Sequence, residues 1–517
     1  MRKERSNFIK EAKVLGAGIF ISRLLGLLFV FPFAKMIGPA GVSLYTYAYV
    51  PYTLFLDLSS LGIPMGLSKL VARYNAEDNQ DMSRLIFKVS LLIMGAVGFI
   101  SFILINLLAP FYARMVLAGN DSLLNHFNDV VMVIRIVSLP LLIVPIISVI
   151  RGFFQGNFYF YPTAVSQVIE QIVRVTFILG ATYIVLYQWQ RAYTEAVNYS
   201  VLAAFLGGLF ALAYLLIELK RRNLWNFKTK EKKSRSVIKQ IVKYSIPFAL
   251  FGISFSVFQM IDSLFFNSAM LKNGVTNPEF YYGIYSFNVQ KLVFIPISLF
   301  LCLGTTIMPD ITQDVAIKDF DQIQMKTEKS FQWIFWLLIP LTFFTFFHSQ
   351  SIYNVFYTPE QLGGAVLRIY AFLIIIIVIN GLLVNILQGL NVLKATIVAI
   401  IAGLIVKFLL CYILIRYFGF AGAILSSLLG FGVTILVNLH NLRKSSALKS
   451  QTIAYAFKCL LISTLAILVV LGLNHFLPIN VESYLTNFIG LGIYFAIFAI
   501  IYFSVSFKAH LWPKKIK

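Results

Sequence analysis

Long apolar runs separated by short polar segments dominate the chain from end to end. Runs that could cross a bilayer as a helix, which takes about 20 residues, recur fourteen times. Their approximate bounds are 14–36, 44–70, 86–108, 130–151, 162–186, 197–219, 241–266, 281–308, 331–347, 363–389, 395–416, 420–440, 453–473 and 484–507. This pattern predicts an all-α polytopic membrane protein with fourteen transmembrane helices.

Composition supports this prediction and excludes other classes of protein. Of 517 residues, 59% are hydrophobic and 12% are charged, whereas soluble domains are about half apolar and a quarter charged. The net charge of +22 is not taken to indicate nucleic acid, because most loop Lys and Arg residues fall on the side of the N-terminus. With an even number of crossings, this bias predicts that both termini are cytoplasmic.

The charge pattern also suggests how the chain is divided. A basic segment, 220–240, follows six predicted helices and reads as a cytoplasmic linker held to anionic lipid. We therefore predict a first lobe at 1–219, a second lobe of six helices at 241–442, and two further helices with a basic tail at 443–517. Gln155-Gly156 precedes Arg174 by the same interval that separates Gln388-Gly389 from Lys407, which indicates two related halves in parallel orientation.

Several charged residues interrupt the apolar runs, and each costs a few kcal/mol unless it is paired or faces water. Arg23 lies deep in the first predicted helix, and Lys291 lies deep in the eighth, beside Gln290. Both stretches are typical of helices that line a cavity and contact an anion. The alternative is that each base belongs to a structural ion pair.

Glu170 and Arg174 are four residues apart on the fifth predicted helix and share a face. They either neutralise one another or face a cavity. Lys407, the counterpart of Arg174, has Gly403 four residues before it and is therefore a better candidate to contact an anion. Arg135 on the fourth helix, which also has no nearby acid, is a similar candidate.

Two acids are isolated in apolar helices, Asp57 in the second and Asp262 in the seventh. Asp57 is a candidate substrate contact. Asp262 shares a face with Gln259, and Asn380 and Asn385 in the tenth helix could add oxygens to a sodium site or a proton relay. Alternatively, each acid pairs with a basic residue.

No metal-ligand spacing, nucleophile triad or phosphate-binding loop occurs, so we expect neither an enzyme nor a bound metal or cofactor. A membrane glycosyl-polymerase would need a carboxylate in a sizeable external loop, and the longest predicted one, 109–129, offers only Asp121 and Asp129. Because bases outnumber acids within the helices, the expected substrate is an anion such as a phosphate or pyrophosphate. A cationic drug would prefer the opposite sign.

Several motifs resemble those of a known group of transporters. Ser22-Arg23-Leu-Leu-Gly26 resembles the Ser-Arg-x-Leu-Gly signature of the MurJ lipid II flippases, and the segments around Lys291–Pro296 and Leu303–Pro309 resemble their eighth helix. Gly38–Gly41, Ser60–Pro64 and Gln388–Asn391 are similar to the SpoVB/YtgP branch. The chain thus resembles the lipid-linked polysaccharide flippases of the MOP superfamily along nearly its whole length.

The resemblance implies two six-helix lobes around a V-shaped cavity, plus two C-terminal helices that form a groove for a lipid tail. It also implies that Arg23 contacts the substrate pyrophosphate. Lys291 stands where many relatives have arginine, which keeps the charge but loses the bidentate fork. Phe29 and Phe294 occupy positions that are charged in relatives, so Arg135, Arg174 and Lys407 become candidates for that charge.

We therefore expect a monomeric flippase in the bacterial plasma membrane that moves undecaprenyl-pyrophosphate-linked lipid II to the outer leaflet by alternating access. Its expected partners are this lipid, membrane lipids and the cell-wall synthesis machinery. The energy source stays open between a sodium ion, a proton and the membrane potential. The alternatives are a flippase for another lipid-linked saccharide, of capsular, teichoic or O-unit type, and a cation-coupled multidrug exporter.

Overall fold

The computed structural model describes residues 15–26, 28–60, 62–120, 123–225, 234–444, 451–476 and 483–513. Across these ranges the chain is almost entirely helical and contains no β-strand. Eleven helices in the described ranges are long and apolar enough to cross a membrane. The predicted all-α class is confirmed, and the count of fourteen crossings stays a prediction.

The helices follow one another with short connections. We call residues 15–26 α1. The others are α2 (Val30–Ser60), α3 (Ile63–Ala76), α4 (Gln80–Val116), α5 (Phe127–Val137), α6 (Val144–Gly156), α7 (Phe160–Tyr183), α8 (Tyr193–Arg221), α9 (Ser234–Lys272), α10 (Pro278–Gly283), α11 (Gln290–Ile317), α12 (Phe320–Phe347), α13 (Ser349–Phe356), α14 (Gln361–Gly389), α15 (Leu393–Phe418), α16 (Phe420–Lys444), α17 (Gln451–Phe476) and α18 (Tyr484–Lys508). Most predicted apolar runs coincide with one helix or a pair of consecutive helices.

The first two predicted runs are divided differently from our expectation. The polar gap predicted at 37–43 is not a loop but a kink within α2 at Gly38, where φ is 66° and ψ is −179°. The predicted run 44–70 is broken near Gly62, whose φ of 87° suits glycine. A new helix, α3, then begins at Ile63 with a proline in its first turn, where no backbone N–H is needed.

Many large apolar side chains of the long helices are exposed. Leu107 on α4 is 70% exposed, Leu465 on α17 is 59% exposed and Ile500 on α18 is 66% exposed. Exposing this much apolar surface to water would be unfavourable, whereas contact with lipid tails would bury it. The distribution of apolar residues therefore fits helices that contact lipid on one side and each other on the other.

The chain folds as two compact units, Met1–Ser268 and Ala269–Lys517. In the first, apolar residues of α3, α4, α6 and α8 form a core that includes Phe87 stacked on Phe153. In the second, α17 and α18 pack on α12 around Trp336. The described part of α9 up to Ser268 belongs to the first unit, where Asn267 donates to the Tyr47 hydroxyl at 2.7 Å. The predicted lobe boundaries stay a prediction.

The proposed internal repeat has a local structural counterpart. α6 ends at Gly156 and α14 ends at Gly389, and each is followed two residues later by a residue in the left-handed conformation, Phe158 (φ 61°) and Asn391 (φ 60°). The turn amides donate to equivalent carbonyls, at 3.0 Å in both turns. The α6–α7 and α14–α15 turns are therefore built alike.

Candidate functional site

The charged residues of α7 face α2 within the first unit. The Arg174 guanidinium lies over the ring of Tyr49, 5.5 Å from its centroid. Tyr49 in turn stacks on Tyr45, with centroids 4.7 Å apart. Arg174 is only partly buried, and no carboxylate in the described part of the chain lies within ion-pair distance of it. Among the described residues, the positive charge of Arg174 therefore faces an aromatic ring and no acid.

Glu170 does not neutralise Arg174, so the ion-pair interpretation of these two residues was wrong. Its carboxylate binds Arg151 instead, with Oε2 2.8 Å from Nη2. Both side chains are largely buried, 15% exposed for Arg151 and 21% for Glu170. Arg151 lies inside α6 and also donates from Nε to Ser166 Oγ at 2.9 Å.

Tyrosines on α2 extend this cluster toward α9. Tyr52 is buried within electrostatic reach of Glu170 and Asp57. Asp57 accepts a short hydrogen bond from the Ser256 hydroxyl of α9. The partner in this hydrogen bond is a neutral hydroxyl. The alternative that Asp57 pairs with a base stays a prediction. We name Tyr49, Tyr52, Arg151, Ser166, Glu170 and Arg174 the polar cluster.

A glycine contact sets the position of α7. A Cβ atom on Gly207 of α8 would lie 2.7 Å from the Glu170 carbonyl oxygen and 3.4 Å from the Arg174 Cβ. Because only glycine permits this approach, α8 supports α7 between its two charged positions. Gly18 and Gly26 similarly bring α1 against Ala164 and Gln171 of α7.

The other two arginine candidates of the first unit are exposed. Arg23 lies on α1, the helix packed against α7. Arg135 lies on α5 and lines an open groove of about 410 Å³ together with Asn128 and Met132. The structure thus places Arg23 and Arg174 on adjacent helices, whereas Arg135 lies in a separate groove.

Lys291 and Gln290 open α11, directly after a π-helical turn, Ile284–Val289. π-Helical turns are rare in proteins, and those that occur often lie at functional sites. The Lys291 ammonium is 5.8 Å from the centroid of the Phe287 ring, and Gln290 Nε2 lies 3.5 Å from the Tyr370 hydroxyl. Both side chains are partly buried within the second unit.

Lys407 differs from its counterpart Arg174. Its side chain is fully buried, and its ammonium donates to the Ala423 carbonyl at 3.1 Å, to Ser426 at 2.9 Å and to Ser427 at 2.8 Å. All three acceptors belong to α16. The geometry favours a packing function between α15 and α16, and contact with substrate stays a prediction.

The candidate ion-coupling residues are divided between the two units. Asp262 and Gln259 lie on α9 in the first unit, and Asn380 and Asn385 lie on α14 in the second. Asp262, Asn380 and Asn385 are buried, and the side-chain oxygen Oδ1 of Asn380 has no hydrogen-bond partner among the described residues. The part of the chain described here contains no cluster of three potential metal ligands.

Sequence reasoning missed the aromatic and neutral members of the polar cluster. Tyr49 and Tyr52 are three residues apart and Tyr45, which stacks on Tyr49, precedes it by four, so all three lie on one face of a helix. Ser166 precedes Glu170 by four residues and shares its face. These spacings could have indicated a polar surface, but they could not identify Arg151 as the partner of Glu170.

Comparisons with known proteins show which family the chain resembles. The family model described as "Polysaccharide biosynthesis protein" matches residues 8–314, and the MatE model matches 282–413. A lipid II flippase of Bacillus subtilis (strain 168), MurJ, is 33% identical over 476 residues, which cover 90% of this chain and 86% of the relative. The stage V sporulation protein B of the same organism is 25% identical over 93% of this chain and 90% of its own length.

Solved structures show the same fold at low identity. An inward closed structure of the lipid II flippase MurJ superposes with a TM-score of 0.68 at 14% identity, covering 95% of this chain and 98% of that one. An inward-facing multidrug resistance MATE transporter gives 0.64 at 13% identity, covering 82% and 95%. This chain is therefore a multi-pass membrane protein that belongs to the family described as "Polysaccharide biosynthesis protein", and it shares the fold of the MurJ and MATE structures.

Proposed function

We propose that this protein is a flippase that moves lipid II, an undecaprenyl-pyrophosphate-linked precursor, from the inner to the outer leaflet for cell-wall synthesis. The observation that carries the proposal is the 33% identity to a lipid II flippase over 90% of the chain. The polar cluster supports it, because Arg174 offers a positive charge within a membrane-crossing helix to a pyrophosphate.

In this mechanism the polar head of the lipid enters a wet cavity while its tail stays in the bilayer. Arg23 on α1 and Arg174 on the adjacent α7 bind the pyrophosphate, and Lys291 on α11 contributes a further positive charge. Two six-helix lobes rock against one another around the bound head, and the last two helices guide the tail. No covalent chemistry is needed, so the protein is not an enzyme.

The proposed topology has fourteen crossings, with both termini in the cytoplasm of a bacterial cell. Transport draws on a sodium ion, a proton or the membrane potential, which supplies about 2.3 kcal/mol per charge per 100 mV. Asp262, Gln259, Asn380 and Asn385 are the proposed coupling residues. The protein works as a monomer and delivers its product to the cell-wall synthesis machinery.

A second candidate is a flippase for a different lipid-linked saccharide. It is favoured by the match of residues 8–314 to the family model described as "Polysaccharide biosynthesis protein". A cation-coupled exporter is favoured by the MatE match at 282–413. The uncompensated Arg174 argues against a cationic substrate.

The deciding experiment measures lipid II on the outer surface of cells. The chain is expressed as the sole candidate flippase in a bacterium depleted of its own, and a lipid II-cleaving toxin is added outside. We expect cleavage with the wild type, and its loss in Arg23→Ala at equal membrane abundance. Absence of cleavage with well-expressed wild type would reject lipid II and favour another lipid-linked saccharide.

A further inference from the structure

Glu170 and Arg174 have the spacing at which a glutamate and an arginine normally pair on a helix. Such a pair would cancel the positive charge of Arg174. In this structure the Glu170 carboxylate is turned to Arg151 of α6, with 2.8 Å between Oε2 and Nη2. Arg151 thus competes directly with Arg174 for the same carboxylate.

The orientation of Arg151 is fixed by contacts at both its ends. Its Nε donates to Ser166 Oγ at 2.9 Å, and Ser166 is fully buried and donates to the Thr163 carbonyl. The Thr163 hydroxyl in turn donates to the Arg151 carbonyl at 3.4 Å. One face of α7 therefore holds both the backbone and the guanidinium of Arg151 in place.

The helix pair α14–α15, which is the counterpart of α6–α7 in the proposed internal repeat, supports the link between Arg151 and Glu170. It keeps a base, Lys407, at the position of Arg174 but has Gly403 in place of Glu170. It also has Val384 in place of Arg151. The copy that lacks the competing acid thus also lacks the arginine that binds it.

We propose that Arg151 is a positioning residue that holds Glu170 away from Arg174, so that Arg174 keeps its charge for the substrate's pyrophosphate. This inference rests on the proposed function, in which Arg174 binds that group. It assigns Arg151 no contact with the substrate. Loss of Arg151 releases Glu170, which then pairs with Arg174 and blocks anion binding.

The test measures binding of undecaprenyl pyrophosphate to the purified full-length protein in lipid nanodiscs. Arg151→Ala is expected to weaken binding about tenfold or more. Arg151→Ala combined with Glu170→Gln is expected to restore it, because no competing carboxylate is left. Arg151→Lys, which preserves a positive charge near Glu170, is expected to retain most of the affinity.

Glu170→Gln alone separates this inference from a purely structural ion pair. If the pair only held α6 to α7, breaking it from either side would weaken binding alike. We expect instead that Glu170→Gln binds within about threefold of the wild type, while Arg151→Ala does not. The thermal midpoint of each variant is measured in parallel to show that the protein is folded.

Equal losses in Arg151→Ala and Glu170→Gln would overturn the inference, as would unchanged binding in Arg151→Ala. A wild type that fails to bind undecaprenyl pyrophosphate would overturn it too. If Arg151→Ala cannot be recovered folded, Arg151→Gln takes its place, and a tenfold loss in Glu170→Gln would still reject the idea. If the toxin assay is negative but undecaprenyl pyrophosphate binds in the expected pattern, lipid II is rejected as the substrate and the inference about Arg151 stands. The two results are separable because the binding probe carries no sugar.

Discussion

Arg151 and Glu170 form an ion pair of 2.8 Å between α6 and α7, and this pair leaves Arg174 over the ring of Tyr49 with no acid partner among the described residues. Of the charges on this face of α7, the acid is therefore neutralised and the base is not. In a membrane-crossing helix an uncompensated arginine is costly. Such a cost is expected where the charge is needed to bind an anion.

Replacing Arg174 should lower transport, because the charged hydrogen bonds that it is proposed to make with the substrate's pyrophosphate are lost. For Arg174→Ala we expect a loss of about 1.5–3 kcal/mol of substrate interaction, or roughly ten- to hundredfold in toxin-detected lipid II exposure. Arg174→Lys should fall between this variant and the wild type, because lysine keeps the charge without the planar fork. The control is Arg191→Ala, which removes an exposed arginine paired with Glu195. Equal activity of Arg174→Ala and the control would contradict the prediction.

The Tyr49 ring should act through its aromatic face and not its hydroxyl. The hydroxyl is buried and has no hydrogen-bond partner among the described residues. We therefore expect Tyr49→Phe to behave like the wild type, while Tyr49→Leu loses a cation–π contact of about 0.5–2 kcal/mol. The thermal midpoint and undecaprenyl pyrophosphate binding are measured for both. A defect in Tyr49→Phe as large as that in Tyr49→Leu would argue for the hydroxyl.

Close packing of α8 on α7 should make Gly207 sensitive to substitution. In Gly207→Ala the added Cβ would lie 2.7 Å from the Glu170 carbonyl, so the helices must separate. We expect a destabilisation of about 1–3 kcal/mol, measured as a lower thermal midpoint of the purified protein. Gly180→Ala on α7 is the matched control, because nothing lies within 4 Å of its Cβ position. Its midpoint should not fall.

The hydroxyls around Lys407 should stabilise the α15–α16 pair. Ser426→Ala with Ser427→Ala removes two of the acceptors of a buried ammonium, and we expect a loss of about 1–3 kcal/mol in stability. Adding Lys407→Met should recover most of it, because the buried charge that has lost two acceptors is removed. The exposed Thr464→Ala is a control. An intact midpoint with weakened substrate binding would instead assign Lys407 to the substrate.

Cysteine labelling should test the proposed orientation. In a background without Cys302, Cys411 and Cys459, single cysteines replace Gln188 and Lys220, which are exposed near opposite ends of α8. A membrane-impermeant maleimide added to intact cells should label the position at 188 and not the one at 220. After the cells are opened, both should react. The reverse pattern would place the termini outside the cell.

Helical periodicity and run length could predict most of the fold, because a helix in lipid must satisfy its own backbone and needs about 20 apolar residues. A single continuous stretch of sequence shows whether this requirement is met, as it does for α12 and α14. It failed at Gly38, where a single residue turns the chain without any polar loop. It also failed near Gly62, where one conformationally free residue ends a helix inside an apolar run.

The sequence by itself determined that this is a many-helix membrane protein with bases inside its helices, and its motifs determined the family. The tertiary structure decided which charges are paired. The four-residue spacing on α7 would allow Glu170 to pair with Arg174, yet Glu170 binds Arg151. Lys407 is fully buried, whereas its counterpart Arg174 is only partly buried. The reason is physical: spacing along one helix gives the possible partners, but the energy of a charge depends on what neighbouring helices bring to it.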